Sequence, residues 1–239
     1  IRLAFVPQND YIVSADYSQI ELRLLAHISD CQELIDAFNN GQDIHTKVAA
    51  DIHSISESEV TKEQRSMAKA VIFGIVYGIS GFGLGENLKI SRKDADKFIE
   101  KYYELYPGVK NYMDNIVKFA RENGYVKTMF GRVRQINELK DSNYMVRQMG
   151  ERMALNTPIQ GTCADIMKLA MIRVFNKMKQ LNLKSKMILQ IHDEILIDAT
   201  KDELDIIKDI LKEEMENVIN LKVKLKIEIN TGVNWYDAK

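Results

Sequence analysis

Two short apolar, β-branched runs open the chain, at 1–6 and 11–15, and both read as strands. From residue 20 to about 123 the pattern turns helical. Leu22, Leu25 and Ala26 begin one apolar stripe, and 59–77 and 91–106 carry the same period over longer segments. Gly78, Gly81, Gly83 and Gly85 predict a break between those two, and Pro107-Gly108 predicts another. Residues 125–136 alternate around Gly131 and read as a hairpin. A long helix follows over 143–179, kinked or split at Pro158, whose ring cannot donate to the helix ladder. Apolar runs at 187–191 and 195–197 flank His192-Asp193-Glu194, which predicts two strands joined by a tight polar turn. An amphipathic helix at 204–218 and an alternating last strand at 223–229 complete the chain. Strands, then helices, then strands imply an α+β fold, with a helical insertion between two groups of strands that share one sheet.

Composition changes this picture little. The chain has 239 residues, enough for one large domain or two smaller ones, and its 46% hydrophobic and 28% charged residues are an ordinary globular balance. The net charge of -1 gives no bulk signal for nucleic acid, but charge clusters locally. Seven Lys/Arg face four acids over 121–152, whereas six face eight over 201–228. Cys31 and Cys163 lie far apart and in no CxxC pattern, which argues against a disulfide framework or a zinc site and for a reducing intracellular compartment. No apolar run reaches the roughly 18 residues of a membrane span. The chain starts at Ile1 within strand-like sequence, and the expectation is a piece of a longer protein.

Candidate chemistry sits in four places. Asp16, at the end of an apolar strand, and Asp193, at the tip of a hairpin turn, are each ordinary turn residues taken alone. Brought together at neighbouring strand ends, two such carboxylates suit two Mg²⁺ ions, which keep several waters and bind substrate phosphates. Arg65, Lys69, Phe73 and Tyr77 recur every four residues, so on a helix they form one slanting stripe. Two cations followed by two aromatics are odd choices for a core; they suit a triphosphate at one end and a sugar or base at the other. Gly74 and Gly78 in the same segment each cost about 1 kcal/mol of helix propensity. Arg152, Asn156 and Gln160 repeat the spacing with long hydrogen-bonding side chains, which suit the minor groove of a duplex, where acceptors are alike for all base pairs.

These residues carry a resemblance. DYSQIELR at 16–23 is similar to motif A of the family A DNA polymerases, the bacterial polymerase I type; RSMAKAVIFGIVYG at 65–78 resembles motif B, and QIHDE at 190–194 resembles motif C. GERMALNTPIQGTCADIMKLA resembles the segment that tracks the primer–template, and NTGVNWYDAK the family's C-terminus. The likeness covers essentially the whole chain.

The resemblance implies a right-hand polymerase fold with an antiparallel palm sheet over 1–23 and 144–239 and helical fingers over 24–143; the thumb lies outside this chain. It implies transfer of deoxynucleotides from dNTP to a primer 3′-OH on primer–template DNA, with two Mg²⁺ ions held by Asp16, Asp193 and the Tyr17 carbonyl. Lys69 joins the two aspartates in the chemistry, with Glu194 as a nearby acid behind the metals. Arg65, Lys69 and His45 contact the triphosphate, Phe73 and Tyr77 pack on sugar and base, and Glu21 closes the space a ribose 2′-OH would need. Arg152, Asn156, Gln160 and His192 hold the primer–template. A monomer in the bacterial cytoplasm or an organellar matrix is implied, with no membrane partner. One departure stands out: the family's run of three Arg, an aromatic and Leu-Pro is replaced by Gly131-Arg132-Val133-Arg134-Gln135-Ile136-Asn137. Two other readings compete. A metal-dependent phosphodiesterase would use the two Asp but leaves the Arg65–Tyr77 stripe idle. A catalytically incompetent DNA-binding fragment is expected to lack Asp16 or Asp193, and both are present.

Overall fold

In the computed structural model, which describes all 239 residues, the elements run β1 (Tyr11–Tyr17), α1 (Ile20–Ile28), α2 (Gln32–Asn39), α3 (Ile44–His53), α4 (Lys62–Val76), α5 (Gly81–Leu88), α6 (Arg92–Leu105) and α7 (Pro107–Asn123). They continue with β2 (Tyr125–Lys127), β3 (Val133–Gln135), α8 (Tyr144–Gln180), β4 (Lys186–Ile191), β5 (Glu194–Ala199), α9 (Leu204–Glu216) and β6 (Ile227–Gly232). The chain divides into two compact units, Ile1–Glu21 with Cys163–Lys239, and Leu22–Thr162. No helix is long and apolar enough to cross a membrane.

The first unit is built on a four-stranded sheet ordered β4-β5-β1-β6, antiparallel throughout. The strands from the two ends of the chain do share one sheet, as the strand–helix–strand order predicts. β5 is buried at every position and β1 at all but Tyr11 and Asp16, so both read as apolar runs and sit in the middle of the sheet. One core forms from Ile12, Leu196, Trp235 and Ala238 with Leu189 and Ile191 packed against it. The buried stripe of α9, with Ile207, Ile210, Leu211 and Met215, belongs to the same unit, and the Tyr17 hydroxyl donates to the Met215 carbonyl at 2.7 Å. Burial of each such aliphatic side chain contributes about 1.5–3 kcal/mol.

The second unit is helical apart from the β2–β3 hairpin, whose Val126 and Ile136 pack with Ala120 and Ala154. Two arginines of the departing segment tie this hairpin to α8: Arg132 donates to the Gly161 carbonyl (2.9 Å) and Arg134 to Thr157 Oγ1 (3.2 Å).

Four sequence expectations are corrected. Residues 1–6 form no strand: a 3-10 turn at Arg2–Ala4 closes on its own carbonyls, because both neighbours of β1 are already β5 and β6. The glycines at 81, 83 and 85 do not break the chain but lie in α5, capped by Ser80, which accepts from the Gly83 N–H. A Cβ at Gly81 would fall 1.7 Å from Asp96 Oδ1, so close packing on α6 is what the glycine serves there. α8 is not split at Pro158; the Thr157 and Thr162 hydroxyls donate to the Met153 and Pro158 carbonyls within the unbroken helix. The last strand starts at Ile227, four residues later than expected, since the alternating Val223 and Leu225 are buried in irregular chain.

Candidate active site

In the first unit, sheet register does the positioning. Asp16 stands opposite Glu194 of β5 on one side and Glu228 of β6 on the other. The β4–β5 turn places Asp193 beside it: the Tyr17 N–H donates to the Asp193 carbonyl at 3.1 Å. His192 turns this corner in the left-handed region (φ 53°), a conformation a non-glycine residue holds only where its surroundings enforce it. Its side chain is exposed, and its carbonyl accepts from Gln190 Nε2 at 2.7 Å.

The electrostatics of this rim are those of excess negative charge. Burial, then the Asp16 carboxylate and Glu21, hold the Asp193 carboxyl above the usual carboxylate range, with Lys239 opposing them. The Cys163 thiol is pushed up by burial first and then by Glu21 and Asp193, which places Glu21 in the same acidic neighbourhood. A carboxylate held toward its acid form by burial and neighbouring negative charge is relieved by a cation, and hard oxygen donors suit a divalent one. No three His, Cys, Asp or Glu side chains gather to hold an ion unaided. The donor set therefore fits a metal whose remaining ligands are water, a backbone carbonyl and substrate phosphate, as Mg²⁺ prefers.

Glu194 is differently placed. It is 2% exposed, and both carboxylate oxygens are taken: Oε1 accepts from Ser14 Oγ (2.6 Å) and Trp235 Nε1 (2.9 Å), Oε2 from Lys239 Nζ (2.8 Å). Burial alone would raise its pKa, but these three donors outweigh it and hold the group below the ordinary range. Glu194 is an anchor behind the rim. Lys239 also donates to Asp16 Oδ2 at 3.0 Å. Sequence reasoning assigned no role to Ser14, Trp235 or Lys239; the last two lie in the NWYDAK segment, whose only signal was its likeness to the family's ending.

The second unit carries the helical stripe. Thr61 and Gln64 form a reciprocal cap that starts α4. Arg65 and Lys69 are exposed, Phe73 is half-buried, and Tyr77 closes the helix at 36% exposure. The Phe73 and Tyr77 rings stack at 6.3 Å between centroids. His45 joins them from α3, buried and 5.9 Å from the Phe73 ring. Burial first, and then Arg65 and Lys69, keep its imidazole below the usual range despite Asp43, so it faces the stripe as a neutral ring. Its Nδ1 is buried without a partner. Arg65 is held by Asp43 at 2.6 Å, and Asp43 also caps α3 by accepting from the Thr46 N–H. Thus His45, Arg65, Lys69, Phe73 and Tyr77 come together in one unit.

Past Tyr77, Gly78 adopts φ +66°, and a Cβ there would lie 2.8 Å from Leu155 Cδ1 and 3.1 Å from Arg152 Cγ. This close approach brings α8 to an open cleft of about 430 Å³ lined by Phe73, Tyr77, Ser80, Asn87 and Arg152. Along α8, Arg152 and Gln160 are exposed and Asn156 is half-buried with its Oδ1 unpartnered.

Comparison with known proteins converges on one group. The profile described as DNA polymerase family A matches residues 1–237. The chain is 57% identical, over its whole length, to DNA polymerase I of Caldicellulosiruptor bescii, and 50% identical to DNA polymerase I of Bacillus subtilis. It spans 28% of the first of these proteins and 27% of the second. Among solved structures, the POL domain of Pol1 from M. smegmatis, in complex with DNA primer–template and dNTP, superposes with a TM-score of 0.96 at 42% identity, covering 100% of this chain and 42% of that one. The family match, the sequence identity and the shared fold all run along the full chain, and the chain belongs to DNA polymerase family A.

Proposed function

We propose that this chain is the nucleotidyl-transfer part of a template-directed DNA polymerase that adds deoxynucleotides from dNTP to a primer 3′-OH. The observation that carries the reading is the strand rim where Asp16 and Asp193 meet and where Lys239 only partly offsets their negative charge. Two Mg²⁺ ions, when bound, would supply the charge that neutralises both the attacking and the leaving oxygen of an in-line displacement. Asp16, Asp193 and the Tyr17 carbonyl would hold them, with Glu194 fixing the rim from behind.

The second unit supplies most of the substrate contacts, and Glu21 and His192 of the first unit supply the others. Arg65 and Lys69 neutralise the triphosphate and the departing pyrophosphate, charge that grows in the transition state and so lowers the barrier. His45, kept neutral, donates or accepts a hydrogen bond there without adding charge. Phe73 and Tyr77 offer flat apolar faces to the sugar and base, and Glu21 excludes a 2′-hydroxyl. Arg152, Asn156 and Gln160 track the minor groove and His192 the primer end, checking shape rather than sequence. In this reading the palm comprises 1–23 and 144–239 and the fingers 24–143, and the protein works as a monomer in a bacterial cytoplasm. Support comes from the bacterial relatives and from the M. smegmatis domain, whose complex contains both primer–template and dNTP.

The test is primer extension by the protein expressed from its own gene, beside Asp16→Asn and Asp193→Asn variants, with DNA binding measured by gel shift. Loss of extension with duplex binding retained is expected. Full-rate extension by either variant would overturn the assignment.

A further inference from the structure

The segment after β6 folds back on the sheet rather than trailing from it. Trp235 and Ala238 are buried in the Ile12–Leu196 core, the Trp235 N–H donates to the Phe5 carbonyl at 3.0 Å, and the Phe5 ring meets the indole edge-on at 5.4 Å. Asn234 and Asp237 close the turn by donating to each other's side chains, through Asn234 Nδ2 (2.6 Å) and the Asp237 N–H (2.9 Å). This places the ammonium of Lys239 between two carboxylates, Glu194 at 2.8 Å and Asp16 at 3.0 Å. The two contacts are not equivalent. Glu194 is 2% exposed and anchored by Ser14 and Trp235, so its bond to Lys239 lies in a low-dielectric setting and is costly to break. The Asp16 side chain is 33% exposed and makes its contact at the open rim.

We propose that Lys239 is a positioning residue of the metal site: a cation tethered to Glu194 that occupies Asp16 Oδ2 and that a divalent ion must displace. The tether keeps the Asp16 carboxylate in its binding orientation and offsets its repulsion with Asp193 while no metal is bound. When a divalent ion arrives, the Asp16 contact is given up and the Glu194 contact stays, so the affinity of the site is set by competition with a fixed ammonium. The inference rests on the reading of Asp16 as a metal ligand.

The test is Mn²⁺ binding to the DNA-free protein, followed by the free-ion electron paramagnetic resonance signal. Lys239→Met keeps an unbranched side chain only one atom shorter and removes the charge; it should tighten Mn²⁺ binding on the order of tenfold, the effect of deleting one unit charge a few Å from a divalent ion at a partly exposed site. Lys239→Arg should stay close to the parent protein. The double variant Lys239→Met/Glu194→Gln, which leaves no unpaired buried charge, should bind as tightly as Lys239→Met and guards against a folding defect in the single variant. Unchanged or weaker Mn²⁺ binding in both Lys239→Met proteins overturns the proposal. Asp16→Asn separates the two readings: if it abolishes Mn²⁺ binding while Lys239→Met does nothing, only the role of Lys239 fails, and if it leaves binding intact, the metal-ligand assignment fails.

Discussion

The two units hold their functional side chains in opposite ways. In the first, Asp16 and Asp193 are fixed by strand register, by a backbone hydrogen bond from Tyr17 to Asp193 and by a buried anchor, Glu194, with three donors. In the second, Arg65 and Lys69 project from one exposed helix face, and the ion pair holding Arg65 is itself about half-exposed, at 44% and 42%. A sheet rim sets atoms to a fraction of an ångström, which suits charge development at the reacting phosphorus. A helix face presents long, adaptable cations, which suits a flexible triphosphate. On the proposed function, rigidity lies where the transition state would demand it, and adaptability where a substrate would enter and leave.

The comparison breaks most sharply at the carboxylates. Asp16→Asn or Asp193→Asn should lower primer extension by roughly three orders of magnitude or more, because several kcal/mol of transition-state charge stabilisation are lost. Duplex affinity in a gel shift should barely change. Lys69→Ala comes next: kcat/KM for the incoming nucleotide should fall by roughly 10²-fold, the effect of removing one preorganised cation at a developing charge. Arg152→Ala should instead weaken primer–template binding. Titrating nucleotide and DNA separately distinguishes them, and a Lys69→Ala variant altered only in DNA affinity would refute the stripe reading.

Stability sharpens the same contrast. Glu194→Ala deletes a buried charge and leaves Ser14 Oγ and Trp235 Nε1 without their acceptor, so it should destabilise the fold by about 3 kcal/mol in denaturant unfolding. A loss below about 1 kcal/mol would mean that water replaces the carboxylate and that Glu194 is no anchor.

How legible these arrangements were depends on the range of the interaction behind each. The Asp193 turn and the Arg65–Tyr77 stripe follow from local rules, a polar tip between apolar runs and a four-residue period, and the structure places both elements where the sequence does. Glu194 reads as an acid beside the metals from its motif, yet its burial under Trp235 and Lys239 joins positions 41 and 45 residues away, which no local period reveals. The supposed strand at 1–6 fails for a similar reason, since β-propensity says nothing about whether a sheet edge is free to receive it. Gly81 and Gly85 look like breakers until α6 is present, because the contacts that justify a missing Cβ come from Asp96, Ile90 and Arg92. Asp43 carries no signal in the sequence: as an N-cap it is locally ordinary, and only the folded unit shows that Arg65 leans on it.

That last residue yields the smallest expected effect. Asp43→Asn keeps an oxygen to cap α3 from the Thr46 N–H but removes the charge that holds Arg65, so stability should fall by no more than about 1 kcal/mol, the range of exposed ion pairs and conservative caps. The functional consequence has the opposite sign. If Arg65 takes the triphosphate as proposed, Asp43 competes with it for the same guanidinium; the ion pair lowers the Asp43 pKa, so the pair is fully formed at neutral pH and weakens only as pH falls through the depressed carboxylate range. Freed from Asp43, Arg65 should meet the nucleotide at lower energetic cost, and the KM for dNTP should drop a few-fold at neutral pH, on the scale of one exposed ion pair. The gain should shrink in high salt, where screening already loosens the pair in the parent protein. Steady-state titration of dNTP at low and high salt checks both parts. A raised KM would show that Asp43 aims Arg65 at the substrate instead of restraining it, and the second unit would then be preorganised in the same sense as the first.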